Sequence, residues 1–277
     1  MKRLMTALAT AMAMAMTASP HPAQAAAPSI HVGAMYEYAE PGKGALLKRV
    51  RNTGDATAFV RVQISEVRYA GDGTHQEIPV DTSSTAAAAG LIASPSRLIV
   101  PAQGQQATRL LVQGDRSTER YYRVRFVPVL PQSEDEFALT DAQRDDYRNE
   151  LSAGVNVLTG YGVFVIVHPD QPRYDVQTET HDSHVQLRNA GNTTVVLDDI
   201  RQCSAQDKAG ECSPSRKVHL LPGRTERFAR SAGHLHRFQI VEGDSRKDVL
   251  LSHQVPPGTA VPSPDSRRHF PLEMQEK

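Results

Sequence analysis

Residues 56–69 read ATAFVRVQISEVRY, and their period is two: Val60, Val62 and Ile64 fall on one side, Arg61 and Gln63 on the other. A strand that alternates in this way packs one face on a core and turns the other to solvent or to a partner. The pattern recurs along the chain. YYRVRFVPV sets Tyr122, Val124 and Phe126 against Tyr121, Arg123 and Arg125, while RLIVP (97–101) and ATRLLVQ (107–113) are short apolar runs bounded by Pro, Gly and Gln. Turn sequences separate these runs: NTGD at 52–55, AGDGT at 70–74, PAQG at 101–104 and QGD at 113–115. Many short strands at this spacing predict a β-sandwich.

The strands are interrupted at HPDQP, 168–172, where two prolines stiffen a short linker and stop strand pairing. Strand signals resume in RYDVQTET, HVQLRNAG, TVVLDDIRQC, RKVHLLPG, TERFAR and RFQIVEG. The expected organisation is therefore a first β domain over 26–169 and a smaller second one over 173–253. A Pro-rich tail at 254–277, poor in apolar residues, is expected to be disordered. One helical pattern, TDAQRDDYRNEL at 140–151, has Thr140 placed to cap it and lies in a polar, acidic stretch. It is expected to be a loop helix rather than a core element.

The amino terminus has a basic start at Lys2-Arg3, a short apolar run and an AQA site at 23–25, the layout of a secretory signal peptide spanning 1–25. That predicts a protein exported across the inner membrane, with no stable membrane insertion afterwards. Removing Lys2 and Arg3 from 31 basic residues, against 31 acidic ones, leaves a mature charge near −2. Such a balance gives no sign of nucleic-acid binding. Cys203 and Cys212 are the only cysteines, and in an exported chain two thiols most simply form one disulfide.

No catalytic constellation stands out: the chain has no G-x-S-x-G, no P-loop and no H-E-x-x-H. The histidine pairs His181/His184 and His234/His236 lack a cysteine or acidic partner at ligand spacing, so no metal and no cofactor is expected. Glu134, Asp135 and Glu136 read as a solvated charge run. No enzymatic activity is predicted. Lys48 is more informative, because in GALLKRVRN it shares a strand face with Leu46 and Val50. A lysine there either snorkels or holds an anion. Arg123 and Arg125 read as an exposed ladder with cross-strand ion pairs.

GLIASPSRLIVPAQGQQATRLLV (90–112) followed by ERYYRVRFVPV (119–129) resembles the first domain of periplasmic pilus chaperones of the chaperone–usher system. LRNAGNTTVVLDDIRQC, GEC and LLPGRTERF in the second unit are similar to the alternate branch of that family, which serves common-pilus and colonisation-factor fimbriae. The resemblance implies an all-β fold of two immunoglobulin-like sandwiches, bent, with a cleft between them. It implies a chaperone that lends a strand to a fimbrial subunit lacking one and delivers it to an outer-membrane usher, without a cofactor. The competing assignment is a structural or adhesive subunit of a surface fibre; the full second domain argues against it.

In the family the lent strand is the last of the first domain, which here is GVNVLTGYGVFVIVHP, 154–169. It carries no charge apart from a protonated His168. Counting by twos gives Val155, Val157, Thr159, Tyr161 and Val163 as the groove-filling set, with Asn156, Leu158, Gly160, Gly162 and Phe164 on the other side and a bulge at Gly160 or Gly162 able to switch the phase. Typical members grip the subunit's terminal carboxylate with an arginine in the first strand and a lysine in the lent strand. SIHVGAMYEYAE (29–40) and the lent strand have neither. The alternate branch has a basic residue in the next strand, in a place similar to Lys48. Lys48 is thus the leading anchor candidate, followed by Arg49 and Arg51, then Arg123 and Arg125. A long uncharged edge also predicts weak self-association of the free protein.

Overall fold

The computed structural model of the chain describes residues 27–80, 90–135, 137–152, 158–204 and 212–252. The expected signal peptide, the Pro-rich tail, and Val155 and Val157 lie outside the described residues. Among those described, the fold is two stacked-sheet units, one on each side of the HPDQP linker.

In the first unit, one sheet runs β1 (Ile30–His31), β3 (Ala45–Asn52), β8 (Gln105–Val112), β6 (Leu91–Ser94). The facing sheet runs β2 (Tyr36–Ala39), β10 (Tyr161–Val167), β9 (Arg120–Val129), β4 (Ala58–Tyr69), β5 (His75–Pro79), with β7 (Arg97–Val100) also on β4. The alternating residues meet between them: Val60, Tyr122, Val124 and Phe126 join Val50, Leu110, Val163 and Val165 in one core. The stretch 29–40 is not one strand. It leaves the first sheet after β1 and enters the second as β2, and Gly33, at φ 70, supplies a backbone turn that a side chain would strain.

The second unit pairs β11 (Val176–Thr180), β12 (His184–Asn189) and β15 (Thr225–Ala229) in one sheet. The other holds β14 (Arg216–Leu220), β13 (Val195–Ser204), β16 (His234–Glu242) and β17 (Ser245–Ser252). Leu187, Leu197, Ile200, Phe228 and Phe238 fill its core. Cys203 and Cys212 are bonded, closing the loop that follows β13. Loop closure of this length predicts a loss of about 2–3 kcal/mol in the Cys203→Ser, Cys212→Ser double variant, measurable by urea unfolding.

The helix, α1 (Asp141–Ser152), corrects the expectation of a mere loop element. Thr140 does cap it, its Oγ1 accepting from the Gln143 N–H at 3.3 Å while Gln143 Oε1 accepts from the Thr140 N–H at 2.9 Å. Yet Tyr147 and Leu151, four residues apart and so on one face, pack with Phe137 over Ala56 and Phe59. Phe59 points away from the main core, and the helix is its cover. Tyr147 also donates its hydroxyl hydrogen bond to Thr57 O at 2.6 Å.

One device occurs in both units. Asn52 Nδ2 donates to Ala56 O and Val100 O, and its Oδ1 accepts from the Ser29 and Gly54 N–H groups. Asn189 Nδ2 donates to Thr193 O and Leu220 O, and its Oδ1 accepts from the Gly191 N–H. The glycine two positions on admits a close carbonyl: a Cβ at Gly54 would lie 2.1 Å from Ala27 O, and one at Gly191 would lie 2.2 Å from Arg173 O. Each Asn-x-Gly corner thus fastens the segment entering its sandwich.

Candidate functional site

β10 is covered unequally. On one side β9 pairs with it from Tyr161 to Val167; on the other, β2 pairs with it only from Phe164 to Val167, in parallel. Among the described residues, the edge at Tyr161–Val163 is open. The Phe164 N–H donates to Met35 O at 2.8 Å and the His168 N–H to Ala39 O at 3.0 Å, so even-numbered residues turn their backbone groups to this side. By the alternation of a strand, Gly162 then presents its N–H and C=O to the open edge. Gly160 still runs along β9, where a Cβ would come within 3.1 Å of Phe126 O.

Side chains divide the other way. Val163 is fully buried in the chain's own core, Tyr161 is half-buried against it, and Thr159 is exposed. Odd-numbered residues therefore leave the core progressively toward the start of the strand. On the opposite face Phe164 and Ile166 pack with Val67, Tyr38 and Tyr121. No charged side chain belongs to Leu158–Val167.

Lys48 sits where the open edge begins. Burial alternates along β3, and Lys48 is on the inward face at 3% exposure. Its Nζ donates to Ala34 O at 2.5 Å and to Glu37 Oε1 at 2.6 Å. Ala34 lies in the crossover between β1 and β2, next to the Met35 whose carbonyl takes the Phe164 N–H. Between snorkelling and holding an anion, the structure shows the latter, and the anion is the chain's own Glu37. Sequence reasoning missed Glu37, because the partnership depends on β1–β2 changing sheets.

The other basic candidates lie apart from this point. Arg49 and Arg51 are exposed on the outward face of β3. Arg123 Nε and Arg125 Nη2 both donate to Glu77, at 3.1 and 2.5 Å, and Arg123 lies over the Phe164 ring. The hydrogen bond from Arg125, and the charge of both guanidiniums, hold the Glu77 carboxyl below its ordinary pKa.

The two sandwiches meet beside this edge. Glu119, whose side chain is 2% exposed, accepts from Tyr121 OH at 2.6 Å, Thr194 N at 2.8 Å and Thr194 Oγ1 at 2.5 Å. It thereby ties the start of β9 to the second unit; burial raises its pKa. His219 of β14 stacks on Tyr36 of β2 with ring centroids 3.8 Å apart. Arg116 donates to Ala39 O, Glu40 O, Lys43 O and His168 O, gathering the end of β2 and the start of the linker. A cleft of about 790 Å³ opens alongside, lined by Tyr69, Arg120, Tyr121, Leu221 and Arg224 among others.

Burial, the dominant cause, lowers the pKa of both His168 and His219 to about 4. Glu40 opposes that shift at His168 while Arg116 adds to it, and at His219 Lys217 adds while Asp198 opposes. In the unfolded chain each histidine titrates near 6.5, so below that pH the unfolded state binds protons that the folded state refuses. Their contribution to stability is complete above about pH 6.5 and is lost as pH falls toward 4. Glu119, with its raised pKa, works in the opposite sense, whereas the lowered carboxyls of Glu40, Glu66 and Glu77 work in the same sense as the histidines. Urea midpoints are expected to fall across that window, and His219→Phe, which keeps the stack on Tyr36, is expected to flatten the fall.

No protein-family model matches the chain. Among curated sequences it is 26% identical over 226 residues to the probable fimbrial chaperone EcpB of Escherichia coli K12, an alignment covering 80% of this chain and 90% of that one. The protein of the same description from Shigella boydii serotype 4 matches to the same extent. Among solved structures, the class 5 fimbriae chaperone CfaA superposes with a TM-score of 0.51 at 16% identity, covering 81% of this chain and 99% of that one. That similarity supports the fold: two immunoglobulin-like sandwiches with a cleft between them. Among the described residues no helix is long and apolar enough to cross a membrane. The resemblance in residues 90–129 and 187–228, the curated sequences and the fold point the same way: this chain is similar to the fimbrial chaperones.

Proposed function

We propose that this protein is a periplasmic chaperone that holds an incomplete fimbrial subunit by lending it the edge of β10 and the residues before it. The subunit is then passed to an outer-membrane usher. The observation that carries this reading is the open, uncharged edge of β10 ending beside the buried ammonium of Lys48. A sandwich short of one strand exposes apolar core and a row of unpaired backbone groups, both hazards for aggregation. Strand addition satisfies the backbone while alternate side chains fill the groove.

The proposed direction of the partner strand is that of β2. β2 occupies the continuation of the same edge and runs parallel to β10. A partner strand laid in that line and in that sense ends at Met35, with its terminal carboxylate next to Lys48. A strand of the opposite sense would bring its amino end to the ammonium instead. Thr159 and Tyr161, with Val155 and Val157 before them, are the side chains proposed to enter the partner. Lys48 is the proposed anchor; Arg49 and Arg51 point away, and Arg123 and Arg125 are already engaged by Glu77. In the absence of a subunit, the open edge is proposed to pair weakly with a second copy of the chain.

The test is co-expression in the periplasm with a fimbrial subunit. A one-to-one complex that protects the subunit from proteolysis is the expected result. Equal survival of the subunit without this chain would overturn the reading.

A further inference from the structure

We infer that Glu37 is a built-in stand-in for the partner's terminal carboxylate: it holds Lys48 in the free chain and is exchanged when a strand end is captured. The inference rests on the strand-lending reading and adds to it a control on how tightly the site holds a chain end. Its grounds are the unequal situations of the two partners. The Lys48 side chain is 4% exposed, so an ammonium without a counter-charge there would be costly. Glu37 is 29% exposed and makes its hydrogen bond to Lys48 at 2.6 Å, so it can turn to water when displaced. Lys48 keeps a second acceptor throughout, Ala34 O, which belongs to the backbone.

Position makes exchange the natural event. Glu37 follows directly on Tyr36, the first β2 residue paired with β10. A strand arriving along the open edge therefore ends close to the ammonium that Glu37 already occupies. Two carboxylates on one buried ammonium leave an excess negative charge, which raises the cost of holding both. One must yield, and the exposed one can. A segment from the middle of a chain brings no carboxylate, cannot displace Glu37, and gains nothing at Lys48. Glu37 thus moderates how tightly free chain ends are held, while leaving chain middles without a gain at Lys48.

The test uses the full mature chain and two fluorescent peptides of one alternating valine–serine sequence, one ending in a free carboxylate and one in an amide. Wild type is expected to bind the acid form more tightly than the amide. Glu37→Gln, which keeps an acceptor for Lys48 but removes the charge, is expected to bind the acid form about tenfold more tightly than wild type does. Its affinity for the amide is expected to stay within about twofold, and Lys48→Met is expected to abolish the difference between the peptides. Binding of both peptides by wild type, with neither tightened by Glu37→Gln or both tightened alike, would overturn the inference and leave the edge reading standing. Absence of binding by every variant would remove the edge reading and the inference with it. If Glu37→Gln fails to fold, Glu37→Asp, which withdraws the carboxylate from Lys48, is to be measured in the same way and judged by the same outcomes.

Discussion

Thr159→Asp is expected to leave the melting temperature of the free protein unchanged and to lower capture of a fimbrial subunit at least about 100-fold. The first half follows from exposure: Thr159 touches neither core of its own chain, and an exposed aspartate costs little. The second half follows from where the proposal sends it. On the odd-numbered side of the lent strand, residue 159 enters the apolar groove of the partner. An unpaired carboxylate buried there costs several kcal/mol, and each 1.4 kcal/mol is a factor of ten. Pull-down of the subunit beside a melting curve measures both halves. Unchanged capture would mean that residue 159 stays in water, and that the lent strand has a different phase or begins later.

Glu119→Ala is expected to cost about 3–5 kcal/mol and to split thermal unfolding into two transitions. The carboxylate is the acceptor for two groups of Thr194 and for the Tyr121 hydroxyl, all at or below 2.8 Å. Its removal strands a buried backbone N–H and two hydroxyls, each costing about 1–3 kcal/mol where no replacement partner is within reach. Each sandwich has its own core, so each can melt separately once the tie is gone. Glu119→Gln, which retains a carbonyl oxygen, is expected to fall between the two. A single, unshifted calorimetric transition in Glu119→Ala would show that the interface is held by other contacts, of which the His219–Tyr36 stack is the next to test.

Much of this fold was legible because period-two patterning is local. Val60, Val62, Ile64, Tyr122, Val124 and Phe126 announce a buried face within a dozen residues, and all are buried. Lys48 was legible too, through its phase with Leu46 and Val50. What it holds was not, because Glu37 reaches it only after the chain changes sheets. Glu119 gave no sign: it precedes a strand, and its partner Thr194 is 75 positions away. The core face of α1 was hidden by its polar composition, although Tyr147 and Leu151 stand at helical spacing. The Asn-x-Gly corners were within reach, since RNTG and RNAG repeat the same residues ahead of the strands they brace. Val163 marks where alternation stops informing. Alternation says that a residue faces a core, but not which molecule supplies it.

The linker has a mechanical consequence. Its first carbonyl, at His168, is clamped by Arg116, and the Asp170 N–H is bonded to Arg116 O. Three residues on, Gln171 O and the Arg173 N–H are bonded to Asn192 of the second sandwich. The joint is bolted to both bodies, with almost no slack between the bolts. On the proposed reading, a cargo strand is therefore not released by jaws swinging apart. It comes off as a zip does, from the far, unanchored end near Thr159 toward Lys48, and an assembly machine that competes for that far end controls the pace of unloading.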